Sequence, residues 1–377
     1  MLTVLLVLII SLFDQTPQWT QQTSNVNARL RGVSAVTARV AWASGSGSTV
    51  LRTDDAGATW KKLSVTSDAL DFRDIDAISQ NTAYVLSIGN GAASRIYKTL
   101  DGGATWVLQF RNEDPKVFLD AMSFWDADHG IVIGDSVDGK FCILTTANGG
   151  RDWSRVPADA LPPALANEGA FAASGTNIAV YGEGTAWIGL GAAARARVLR
   201  TTDRGRSWKI SETPLKSGPS SGIFSIAFRD HKHGIIVGGD YQKEKEAVDN
   251  LALTDDGGVT WTLAQGLTGF RSVVAFVSGT KTVVAAGPAG VDYSTNAGKT
   301  WMPLFGFGPG LDTFSFAPGR KFGWGAGANG RIGRLGLNTV AISALPASSG
   351  DKFSDNVNTS RFALIPGAGA RARAPSN

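Results

Sequence analysis

The chain has 377 residues, 43% hydrophobic and 18% charged, with 46 glycines and 11 tryptophans. Its formal net charge of +4 forms no basic block, and no nucleic-acid-binding motif occurs, so no nucleic acid partner is expected. The single cysteine, Cys142, excludes an internal disulfide.

Residues 1–13 read "MLTVLLVLIISLF". This run has the length of a signal-peptide core and is too short for a comfortable membrane span. No Lys or Arg precedes it and no small-x-small cleavage site follows. Residues 1–16 are read as a signal-like segment, with an uncleaved anchor as the alternative. Either reading places the rest of the chain outside the cytoplasm, in the periplasm or secreted.

"PQWTQQT" (17–23) then has the look of an outer strand, with Trp19 but no turn before it. From residue 32 a unit begins to recur. "GVSAVTARVAWASGSG" (32–47), "AMSFWDADHGIVIGDS" (121–136) and "SIAFRDHKHGIIVGGD" (225–240) each read as strand, turn, strand. A second pattern follows each unit, aligned on a tryptophan. Its copies are "TDDAGATW" (53–60), "TLDGGATW" (99–106), "TANGGRDW" (146–153), "TTDRGRSW" (201–208), "TDDGGVTW" (254–261) and "STNAGKTW" (294–301). The consensus is Ser/Thr-x-Asp/Asn-x-Gly-x-Ser/Thr-Trp, with Asp152 once replacing the hydroxyl.

Each position has a physical task. Asp55, Asp101, Asn148, Asp203, Asp256 and Asn296 can accept bonds from backbone N–H groups two residues on and close a turn. The glycine tolerates a positive φ. Trp60, Trp106, Trp153, Trp208, Trp261 and Trp301 bury a ring and begin an outer strand. Both residue sets are therefore structural, at hairpins far from any axis. The tryptophans recur at intervals of 46, 47, 55, 53 and 40 residues, the length of a four-stranded antiparallel unit. Such units repeated predict a β-propeller.

Six turns give six complete blades. "DTFSFAPGRKFGWGAGANGRIGRL" (312–335) supplies three more strands without a turn. Joined to the strand carrying Trp19, they make a seventh blade from both chain ends and leave no free edge. The sequence thus predicts an all-β, seven-bladed propeller over residues 17–336, closed by an N-terminal outer strand. Residues 337–377, ending in "GAGARARAPSN", lose the repeat and read as a disordered tail.

These turns resemble Asp-box, or BNR, repeats, which occur in sialidases, xyloglucan-type glycosidases, sortilin-type receptors and photosystem II assembly and stability factors. The blade count, "RTTDRGRSW" (200–208), "GIVIGD" (130–135) and "ARLRGV" (28–33) are most similar to the last family. That resemblance implies a non-catalytic, extracytoplasmic scaffold without a cofactor. It also implies a protein partner, such as a membrane protein under assembly, held on an arginine-bearing face. No residue carries over the photosynthetic role. A monomer is expected.

Function in a propeller must be argued from side chains, and the mouth where inner strands begin is the natural place. Aligning inner strands gives one column of Arg31, Arg73, Leu119, Asn167, Ile223, Arg271 and Leu311. The next holds Gly32, Asp74, Asp120, Glu168, Phe224, Ser272 and Asp312. Arg31, Arg73, Arg271 and Glu168 form the candidate binding ring, suited to an anionic or carboxylate group. The competing reading pairs these charges with each other or with water. A glycoside hydrolase or glycan-binding propeller is the alternative, with Asp74, Asp120, Glu168 and Asp312 as candidate carboxylates. The sialidase "RIP" signature is absent, and "FRDI" (72–75) substitutes poorly. "HKH" (231–233) is read as turn chemistry because His233 aligns with His129, so no metal site is expected. "YQKEKEAVDN" (241–250) is read as a charged, solvated insertion.

Overall fold

The computed structural model describes residues 17–306 and 310–337. The signal-like segment 1–16 and the tail residues 338–377 lie outside the described residues. Seven four-stranded antiparallel sheets surround a common axis. Their first strands are Leu30–Ala35, Asp71–Ala77, Leu119–Phe124, Ile178–Tyr181, Ser221–Phe228, Val273–Phe276 and Leu311–Phe316, numbered here as blades 1 to 7. Blade 1 continues outward through Ala41–Gly45, Thr49–Thr53 and Lys61–Leu63, and the other blades repeat the plan. The seventh blade is composite. Gln18–Gln22 pairs antiparallel with Ile332–Gly336, with Trp19 opposite Leu335. The fold is the predicted seven-bladed propeller closed by its N-terminal strand.

The core lies between blades. Trp125 of blade 3 packs with Ile178 and Ala186 of blade 4, and Val36 of blade 1 packs with Phe72 and Ile75 of blade 2. The six repeated turns join third to fourth strands. In the first, Thr53 Oγ1 accepts the Gly57 N–H at 2.8 Å and donates to Asp55 Oδ1. Asp55 then accepts the Thr59 N–H at 2.9 Å and the Thr59 hydroxyl at 2.6 Å. The third copy inverts one bond, with Asn148 Nδ2 donating to Asp152 Oδ2 at 2.7 Å. Exchanging acid for amide at one end and hydroxyl for acid at the other preserves a donor facing an acceptor. His129 and His233 sit in matching turns, each Nδ1 2.8 Å from Asp126 or Asp230.

Candidate functional site

Five of the seven first strands, all but those of blades 4 and 6, share a device that the alternation of side chains hides. Their register slips between Leu30 and Gly32, Phe72 and Asp74, Leu119 and Ala121, Ile223 and Ser225, and Leu311 and Thr313. A β-bulge leaves the residue between each pair unpaired and re-aims its side chain. The bulged residues are Arg31, Arg73, Asp120, Phe224 and Asp312. The sequence alignment mixed two structural columns, placing Asp120, Phe224 and Asp312 beside Gly32 and Asp74. The bulge sets them beside Arg31 and Arg73.

Blade 4 departs from the others, since its first strand starts only at Ile178. The residues before it, "AFAASGT" (170–176), run across the centre of the ring. The contacts establish this, because they reach every other blade. Asp135 of blade 3 accepts the Ala170 N–H. Arg73 of blade 2 donates to Ala172 O at 2.9 Å, and Arg31 of blade 1 to Ala173 O at 3.3 Å. Ser174 donates to Ser272 O of blade 6 at 2.7 Å, and Thr313 of blade 7 donates to Ser174 O at 3.2 Å. Phe171 stacks on Phe224 of blade 5 with ring centroids 3.9 Å apart. Small residues permit the crossing. Gly175 takes φ +72°, and a Cβ there would lie 2.1 Å from Asp74 Oδ1.

The segment plugs the mouth where the first strands begin, called here the near mouth. At the far mouth, where they end, a cavity of about 250 Å³ remains, with Thr176 in its wall and Tyr181, Phe228, Phe276 and Phe316 around it.

The predicted ring is only partly assembled. Arg271 is fully buried and bonds Asp292, also fully buried, from Nε at 2.8 Å and Nη2 at 2.5 Å. It is therefore a core residue and not part of an open ring. Glu168 lies before the blade 4 strand, 1% exposed, and is held by Arg197 through Nε at 2.7 Å and by the Leu165 N–H at 2.8 Å. Asp312 is taken by Arg29 in a two-bond fork of 2.7 and 2.8 Å. Asp74 accepts the Met122 N–H at 2.7 Å. Arg29 was missed in the sequence because it precedes the strand. Its signal was the aligned acid, Asp312, on the neighbouring blade.

Arg31, Arg73 and Arg29 do gather at the near mouth. Arg73 is 2.9 Å from Asp71. Arg31 has no carboxylate partner among the described residues. Burial lowers its pKa to about 10, against the pull of Asp312 and with the help of Arg73 and Arg29. Beside them stands an aromatic group. Phe270 meets Phe224 edge-on at 4.6 Å, and Tyr241 approaches Phe171 and Phe224 at 6.4 and 6.1 Å. Tyr241 opens the charged insertion and is 46% exposed. That insertion is anchored rather than loose, since Phe270 N–H donates to Glu244 O at 2.9 Å and Lys216 reaches Glu246 at 3.0 Å.

Two acids of blade 3 lie by the start of the plug, Asp135 bonded to Ala170 and Asp120 within the field of Asp135. Asp120 is 1% exposed and its Oδ2 has no hydrogen-bond partner among the described residues. Burial, then the charge of Asp135, pushes its pKa well above the carboxylate range. Burial raises Asp135 to about 6.

No family model matches the chain, and no curated protein sequence does. Solved structures do match it. YCF48 bound to D1 peptide is similar at 16% identity, with 85% of this chain and 96% of that chain covered and a TM-score of 0.61. YCF48 from Cyanidioschyzon merolae is similar at 18% identity, with 85% and 99% covered and a TM-score of 0.61. A GH74 xyloglucanase from Xanthomonas campestris is similar at 14% identity, with 84% of this chain but 53% of that enzyme covered, and a TM-score of 0.57. At these identities the likeness is one of fold. The chain is a seven-bladed β-propeller structurally similar to YCF48.

Proposed function

We propose that this propeller is a non-catalytic, exported scaffold that binds a protein partner through its near mouth. The observation that carries this reading is the plugged mouth itself, where Arg31 donates to Ala173 O without an ion-pair partner among the described residues and Tyr241, 46% exposed, packs against Phe171. A plugged mouth offers a broad face instead of a deep pocket. Aromatic rings and arginines are the side chains that dominate protein interfaces. YCF48, a propeller of similar fold, binds a D1 peptide. By that analogy the ligand is a segment of a protein, one under assembly at a membrane, presenting a carboxylate to Arg31 and an apolar side chain to Phe171 and Tyr241. The six turns ally the chain with Asp-box propellers, and residues 1–16 would direct export.

A photo-crosslinking amino acid in place of Tyr241, with a second protein carrying it at Val259 on the far face, tests the reading in membranes of the source cells. A discrete protein adduct from position 241, lost on adding Arg31→Ala and absent from position 259, is expected. Adducts from 259 and none from 241 would overturn it.

A further inference from the structure

The blades themselves point to a second site, on the face opposite the near mouth. In six blades the residue after the first strand closes the next turn through its backbone N–H. The bonds run from Val36 to Val40 O, Ile78 to Thr82 O, Trp125 to His129 O, Arg229 to His233 O, Val277 to Thr282 O and Ala317 to Phe322 O. Five of these six side chains are apolar and no more than 7% exposed. Val36, Ile78, Trp125 and Ala317 each pack into the following blade. Blade 5 has an arginine at this position. Its Nε is buried without a hydrogen bond among the described residues, 3.5 Å from Asp230, with which it forms an ion pair.

Where an apolar side chain would seal the seam, a cleft of about 410 Å³ opens between blades 5 and 6. Two more cations line it, Lys281 in the first turn of blade 6 and Lys299 in its last. Both are exposed, and neither joins an ion pair among the described residues. Asp255 is the one carboxylate among the described residues that line it, and Leu253 and Phe276 supply an apolar wall. A cavity of this size takes a small molecule rather than a bare ion. A guanidinium with two ammonium groups suits an anion with several equivalent oxygens.

We propose that the cleft between blades 5 and 6 binds an oxyanion, a phosphate or sulfate ester carried on a sugar-sized body, with Arg229, Lys281 and Lys299 holding the anion and Phe276 flanking the body. The site is separate from the near mouth, and its failure would leave the partner-binding reading untouched.

Isothermal titration of the full chain at fixed ionic strength tests this, with glucose 6-phosphate, inorganic phosphate and sulfate, and glucose as probes. Saturable binding of the anions and none of glucose is expected. Binding should weaken at least about tenfold in Arg229→Val, which installs the side chain of blades 1 and 6. The Lys281→Ala/Lys299→Ala double variant, altered only at exposed positions, should weaken it to a similar degree. Tighter binding of glucose 6-phosphate than of phosphate supports the ester as ligand, and equal binding supports the free anion. No saturable binding of any anion, or anion binding unchanged in both variants, would overturn the proposal.

Discussion

Arg271 and Asp292 touch no solvent, and each is the other's compensation for burial. Replacing Arg271 by Ala strands a carboxylate in the core and should cost about 3–5 kcal/mol of unfolding free energy, read by denaturant titration. The double replacement Arg271→Met/Asp292→Leu should recover most of that loss. Smaller charges act at the turns. Hydrogen bonds from the Thr105 hydroxyl and N–H, then from Thr99, hold Asp101 at about 2. Asp55 and Asp256 also lie at about 2, burial there being outweighed by the same bonds from Thr59 and Thr260. An acid whose folded pKa is depressed stabilises the fold above its unfolded value near ~3.9. That contribution is lost as pH falls from about 4 through about 2, so acid unfolding should concentrate there. Asp135 has the opposite sign. With a folded pKa of about 6, its favourable contribution is present below the unfolded value and lost as pH rises through about 6. Asp135→Asn keeps the acceptor for the Ala170 N–H and removes the charge. It should raise the melting temperature more at pH 8 than at pH 4, and equal shifts would contradict the assignment.

The crossing segment is the element on which the site depends. Gly175→Ala adds a Cβ at positive φ against Asp74 and should destabilise by about 1–3 kcal/mol. Hydrogen exchange should then rise first in residues 170–176. The closing strand depends on one side chain. Gln22 Oε1 accepts the indole N–H of Trp60 and of Trp324, each at 3.1 Å, while its Nε2 donates to Ala56 O at 2.9 Å. Gln22 thus clasps blade 7 to blade 1, and Gln22→Ala should cost about 2–4 kcal/mol by leaving two buried donors unpaired. The turns were legible in the sequence because Asp, Gly and Trp recur with chemistry that is local to eight residues. The composite blade was legible because Trp19 lacked a turn and residues 312–335 lacked a final strand. The bulges were not, since one unpaired residue shifts the alternation by one and leaves no mark on composition. The plug was not, since "FAASGT" has the small residues of any loop. The partners of Glu168 and Arg271 were hidden because Arg197 and Asp292 stand 29 and 21 residues further along.

At the scale of the molecule, seven blades leave a central channel, and this chain fills one end of it with its own backbone. The acids that a hydrolase would use are engaged or covered. Asp312 is paired with Arg29, Glu168 with Arg197, and Asp120 is 1% exposed. What is exposed at that end is Tyr241, packed against Phe171 of the plug, with Arg31 part-buried against Ala173. The most direct measurement is a turnover screen of the purified chain on fluorogenic sialosides, xyloglucan and common β-glycosides, beside Arg73→Ala and Asp120→Asn. The account predicts no turnover above buffer for all three proteins. Turnover by the parent chain that either substitution abolishes, with the fold intact by circular dichroism, would contradict it and place chemistry at the plugged mouth.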